Sequence, residues 1–126
     1  MRLRHQKAWL AGGVLLLLLV AWGSLTPTPP QGPQFAGADK VNHLAAYWFL
    51  GWYFAQLLPW GNVTLGLFGY GLLIESLQGL SGYRFFEWAD LAANGTGLAL
   101  GLFAAAGAGG RALAWIETLR SPWNSG

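Results

Sequence analysis

Cysteine is absent from this chain, and charge is scarce. Without a thiol there is no disulfide, no thiolate metal site and no cysteine nucleophile. The absence says nothing about compartment. Asp, Glu, Lys and Arg make up 10% of the residues, against roughly 25% in ordinary soluble domains. The 126 residues suffice for one compact domain, but so few charges do not cover a water-facing surface. A soluble globular domain is therefore not the expectation. Hydrophobic residues make up 54% of the chain. The net charge of +2 matters less than where the positive charges sit.

The apolar residues fall into four stretches, roughly 8–25, 41–58, 63–80 and 91–109. Each approaches the ~20 residues that cross a hydrocarbon core of about 30 Å. The spacing predicts an all-α polytopic membrane protein with four transmembrane helices in a bundle, occupying residues 1–110. A short interfacial helix and a C-terminal tail are expected over 111–126, with Leu113, Trp115 and Ile116 toward lipid. Basic residues set the orientation. Arg2, Arg4 and Lys7 precede the first stretch, and Arg111 and Arg120 follow the fourth. The two polar loops carry one basic residue each, Lys40 and Arg84, beside acidic ones. The positive-inside rule then places both termini in the cytoplasm and the polar loops outside.

Tryptophan placement agrees with this map. Trp9, Trp60 and Trp115 fall at the expected inner ends, and Trp22 and Trp88 at outer ends, where an indole has both apolar and wet surroundings. Residues 26–38 contain Pro27, Pro29, Pro30 and Pro33 and read as an extended outer strap. The first stretch has a competing reading as a signal peptide, since Ala21-Trp22-Gly23 loosely resembles a small-x-small cleavage site. Three remaining spans would make a poor bundle, which favours four.

The polar residues gather at one end of three stretches. Residues three or four apart share a helix face, so Asp39, His43 and Tyr47 form one stripe, and Glu75 and Gln78 another. Asp90, Asn94, Gly97 and Gly101 form a third, and its Gly97–Gly101 pair is a GxxxG that lets a second backbone approach. Polar groups continuous with a small-residue stripe are expected to point into the bundle. Charges near hydrocarbon are costly, so the cluster of Asp39, Lys40, His43, Glu75, Gln78, Arg84, Asp90 and Asn94 is either structural glue or a ligand site. As glue it would contain ion pairs such as Lys40 with Glu75 and Arg84 with Asp90, although desolvation offsets most of the attraction in such pairs.

As a site it has several chemistries open to it. Glu75 suits a general acid or base, with His43 as proton shuttle. A metal held by His43, Glu75 and Asp90 lacks any short ligand pair of the HxxxH kind, so no metal is expected. Ser76 and Ser81 read as turn or capping residues, not nucleophiles. Phosphoryl chemistry needs an excess of basic groups or a metal, and the cluster is slightly acidic. Binding of a polar headgroup or glycan remains, with Tyr83, Phe85, Phe86 and Trp88 offering stacking faces.

Asp39-Lys40-Val41-Asn42-His43, then Glu75-Ser76-Leu77-Gln78, then Arg84 and Asp90 through Gly97 resemble the VanZ-like family of small bacterial membrane proteins. The family pattern is roughly D-K-x-x-H, E-x-x-Q and R-x(4–5)-D-x-x-A-N-x-x-G. The three blocks occur in that order over about half of the chain. The aromatic segment Tyr83 to Trp88 departs from the small-residue and proline-bearing link expected after Gln78. The resemblance implies a multi-pass protein of the bacterial cytoplasmic membrane. It also implies a link to antibiotic resistance, since the founding member is associated with low-level resistance to the glycopeptide teicoplanin. It implies no particular reaction.

The expectation is thus a membrane protein that binds an envelope glycan, lipid-linked precursor or glycopeptide antibiotic at its outer face. Two alternatives stand beside it. One is an accessory subunit packed on a larger membrane complex. The other is a membrane enzyme acting on a lipid-linked substrate with Glu75 and His43 as acid and base. The lipid bilayer is a partner in all three. No cofactor and no nucleic acid is expected.

Overall fold

The computed structural model describes residues 3–26, 37–82 and 85–120. The proline-rich strap, most of which is residues 27–36, lies outside them, as do Tyr83, Arg84 and the C-terminal tail. The described residues are helical, with no strand among them. Four long helices, α1 (Gln6–Leu25), α2 (Ala38–Ala55), α3 (Trp60–Leu80) and α4 (Trp88–Ala106), are followed by a 3₁₀ turn at Ala108–Arg111 and a short α5 (Ala112–Arg120). Each of α2, α3 and α4 begins about three residues before its apolar stretch, because the polar residues of the first turn are helical too. Asp39 and Asp90 lie in the first turns of α2 and α4, where the positive end of the helix dipole favours a carboxylate. Gly37 before α2 and Gly82 after α3 have φ of 83° and 85°, a left-handed backbone that glycine adopts without a Cβ penalty. Helix α2 stops at Ala55, ahead of Pro59, which disfavours helix in the residue before it.

Helices α2 and α4 form the tightest pair. A Cβ added to Gly97 would lie 2.2 Å from the Leu44 carbonyl oxygen, and one added to Gly101 would lie 2.2 Å from that of Trp48. The expected close approach along the GxxxG is therefore present, with α2 as the partner. Gly51 returns the contact, its Cβ position falling 3.0 Å from the Leu98 carbonyl. Around this seam Leu50, Tyr53, Phe54, Leu57, Val63, Leu67, Leu98 and Leu113 form the buried core.

Helix α1 lies on the outside. Of its 20 residues only Gly13 is buried, against the rings of Tyr53 and Phe54. Tyr53 and Tyr70 donate to the Trp9 and Leu17 carbonyls and pin α1 to α2 and α3. Its Val14, Leu15, Leu18 and Leu19 are exposed, as are Leu65, Phe68 and Leu73 on α3. Apolar surface of that extent needs a nonaqueous cover. Helices α1, α3 and α4 are each long and apolar enough to cross a membrane. Helix α2 falls short on composition because of Asp39, Lys40, Asn42 and His43, yet beyond that polar start Tyr47, Leu50, Gly51, Tyr53 and Phe54 are buried.

Helix α5 corrects one expectation. Trp115 is exposed, but Leu113 is buried in the core instead of turned to lipid, and Ile116 is half-buried against that core. The cause is Gln56, whose Oε1 accepts the Leu113 N–H at 3.0 Å and draws α5 beneath the bundle. Glu117 completes the attachment. Its carboxylate accepts the Arg4 and His5 backbone N–H groups at 2.8 and 2.9 Å and the Trp9 indole N–H at 2.8 Å. Desolvation alone would raise this carboxyl. The His5 and Arg4 amides and the Trp9 indole together outweigh that and hold it below the ordinary carboxylate range. A depressed carboxyl contributes stability that is present above its unfolded value and lost as pH falls through its folded value. Acidification below the ordinary carboxylate range is therefore expected to release α5 from α1. Trp9 fluorescence in wild type should shift in that range, and the step should be missing from Glu117→Gln.

Candidate functional site

At the end of the bundle where α2 and α4 begin, three carboxylates converge on one ammonium. Lys40 Nζ donates to Asp39 Oδ2 at 3.1 Å and forms close pairs with Glu87 and Asp90. His43, one turn further along α2, faces Asn94 Oδ1 through Nδ1 at 3.0 Å. Its Nε2 lies 3.6 Å from both Asp39 Oδ1 and Asp90 Oδ2. The side chains of Asp39, Lys40 and Glu87 reach water, with relative exposures of 59%, 35% and 48%, while that of Asp90 is only 6% exposed. The knot thus has a wet rim on α2 and Glu87 and a buried floor on α4.

Glu75 forms a deeper layer. It is fully buried, and Oε1 accepts the Glu87 N–H at 2.8 Å. Oε2 has no hydrogen-bond partner among the described residues, and neither has the hydroxyl of buried Tyr47. Gly71, one turn before Glu75, lets these helices meet. A Cβ there would be 3.1 Å from Asn94 Nδ2 and 3.2 Å from Tyr47 Oη. Gln78, also buried, turns the other way and donates to the Ser24 carbonyl at 2.8 Å, tying α3 to α1.

Most of the residues singled out from the sequence therefore lie at one end, in two groups. Asp39, Lys40, His43, Asp90 and Asn94 are joined directly. Glu75 joins them through the Glu87 amide, and Gln78 serves α1. Arg84 and its expected pairing with Asp90 lie outside the described residues. The expected Lys40–Glu75 pair is not formed, because Lys40 is two residues inside the start of α2 while Glu75 lies five residues inside the end of α3, about 4.5 Å deeper at 1.5 Å per residue. Lys40 pairs at the rim with Glu87 and Asp90 instead. Glu87 is the residue whose role the sequence did not single out. Its signal was its place just ahead of α4, where its extended backbone at φ −126° leaves the N–H free for Glu75.

The carboxylates and histidine also bear on metal binding. Ligand atoms of Asp39, His43 and Asp90 lie within 4.8 Å of one another, and Glu75 is not in that set. The Lys40 ammonium already engages Asp39 and Asp90, so a cation there would have to displace it. Ser76 and Ser81 donate to the Leu72 and Gln78 carbonyls at 2.8 and 2.6 Å, the backbone-bonding roles expected of them. Comparison with protein-family models, curated proteins and solved structures gives no match.

Proposed function

We propose that this chain is a VanZ-like protein of the bacterial cytoplasmic membrane whose polar end binds an envelope glycan, a lipid-linked precursor or a glycopeptide antibiotic without transforming it. In this reading α1 to α4 all cross the bilayer, both termini are cytoplasmic and the Lys40 knot faces outward. The close packing of α2 along α4 at Gly97 and Gly101 supports counting α2 as a fourth span, since it runs beside a helix long and apolar enough to cross. The excess of Arg and Lys at the opposite end supports the orientation.

The observation that carries the proposal is the unpartnered oxygen of Glu75. A knot that served only to hold helices together would satisfy its buried members, because an unpaired buried polar atom is costly. Here a fully buried carboxylate keeps one oxygen without a partner among the described residues, beside a water-accessible rim. A hydroxyl or amine of a ligand entering from the rim would satisfy it. Glu75→Gln, Asp90→Asn and Arg84→Gln are each expected to weaken teicoplanin binding about 10-fold or more, the range for hydrogen bonds to charged groups. Calorimetry with correctly inserted protein measures this. Full binding in all three variants, or a protein subunit in place of a glycan or lipid in gently extracted material, would overturn the reading.

A further inference from the structure

The opposite end of the bundle carries a second feature, unconnected with the Lys40 knot. A cleft of about 270 Å³ opens there, lined by Leu3, Gln56, Ala105, Gly107, Arg111 and Ala114 among others. It is just below the roughly 300–1,000 Å³ of small-molecule pockets, which suits a headgroup with its acyl chains left outside. The cleft exists because the chain turns from α4 into α5 through Gly107, Gly109 and Gly110, which place no side chains in the gap. A Cβ on Gly110 would lie 1.9 Å from the Ala105 carbonyl oxygen, so the turn admits nothing larger.

Charge at this end is one-sided. Arg111 is exposed at the cleft wall and has no ion-pair or hydrogen-bond partner among the described residues. Arg4 and Lys7 add two further exposed cations. The nearby acid, Glu117, is taken up by two backbone amides and the Trp9 indole. The guanidinium keeps its charge at any relevant pH and presents paired N–H donors suited to two oxygens of one phosphate. Helix α4 carries exposed Leu100 and Phe103 within two turns of the cleft, an apolar surface for acyl chains.

We propose that this cleft is a binding site for the phosphodiester headgroup of an anionic phospholipid, with Arg111 as its anchor. Arg111 holds the phosphate, and the net positive surround selects lipids of net negative charge over zwitterionic ones. The placement in the cytoplasmic leaflet rests on the orientation proposed above. Binding itself is measured in detergent, where orientation plays no part.

The test is native mass spectrometry of the full chain in mild detergent, titrated separately with phosphatidylglycerol and phosphatidylcholine. Wild type should retain one phosphatidylglycerol in preference to phosphatidylcholine. Arg111→Gln should weaken that binding about 20-fold, the scale of a charge-assisted pair, and Arg111→Lys should weaken it less. Lys7→Gln, which removes a cation outside the cleft, should weaken it about fivefold or less. Glu75→Gln at the other end should leave it unchanged, so failure here is distinguishable from failure of the polar-end site. Equal retention of both lipids, an equal effect of Lys7→Gln and Arg111→Gln, or displacement of phosphatidylglycerol by an equal concentration of inorganic phosphate would overturn the proposal.

Discussion

Gly97→Ala and Gly101→Ala are each expected to destabilise the bundle by about 2–3 kcal/mol, toward the upper end of the cost of overpacking. The obstacles are the backbone carbonyls of Leu44 and Trp48, each 2.2 Å from the new methyl carbon. A side chain can change rotamer to relieve such a clash, but a helix backbone cannot. Relief requires α2 and α4 to separate, and that separation opens the core around Leu50 and Leu98 as well. Gly66→Ala and Gly69→Ala on α3 provide the contrast, since no atom lies within 4 Å of either added Cβ. There the gain in helix propensity, up to about 1 kcal/mol, should leave stability equal or raised. Thermal unfolding of the four variants in one detergent checks this. Equal losses at all four positions would mean that α2 and α4 are not in contact along Gly97 and Gly101.

Lys40→Met should cost more than most surface changes, about 3 kcal/mol. That is the lower end for removing one partner of a buried ion pair, and the lower end applies because the Lys40 side chain is 35% exposed. Without the ammonium, Asp39, Glu87 and Asp90 face one another with only the His43 imidazole, 3.6 Å from Asp39 and Asp90, beside them. The cost falls mainly on Asp90, whose side chain is 6% exposed. Adding Asp90→Asn should therefore recover much of the loss, with a coupling of about 2 kcal/mol in the double-mutant cycle. Strict additivity of the two losses would show that the pair does not act as a unit.

Much of this was legible in the chain because helix spacing is a local property. Asp90, Asn94, Gly97 and Gly101 repeat at three and four residues, and that repeat alone fixed the face on which α4 meets α2. The polar end was legible for the same reason, since Asp39, His43, Glu75 and Asp90 each lie close to a helix terminus. Which group pairs with which was not legible. Depth decides that Lys40 reaches Asp90 and Glu87 rather than Glu75, and depth depends on where each helix starts. The helices begin about three residues before their apolar stretches, which moves the rim. Leu113 was misplaced because its burial depends on Gln56, 57 residues earlier. The role of Glu87 rests on its backbone N–H, a group every residue but proline carries, so its side-chain chemistry gave no sign of it.

Ligand site and structural glue make opposite demands on Glu75. Glue needs the carboxylate for stability. A site keeps an unsatisfied group at a cost to stability because the ligand uses it. Glu75→Gln separates the two. The amide retains an oxygen for the Glu87 N–H and replaces only the oxygen that has no partner among the described residues. The most direct measurement is the thermal unfolding midpoint of Glu75→Gln against wild type, in the same detergent and without ligand. For a ligand site the midpoint is expected to be unchanged or higher. A fall of more than about 5 °C, the shift that about 1 kcal/mol gives in a chain of this size, would contradict it and return the cluster to a structural role.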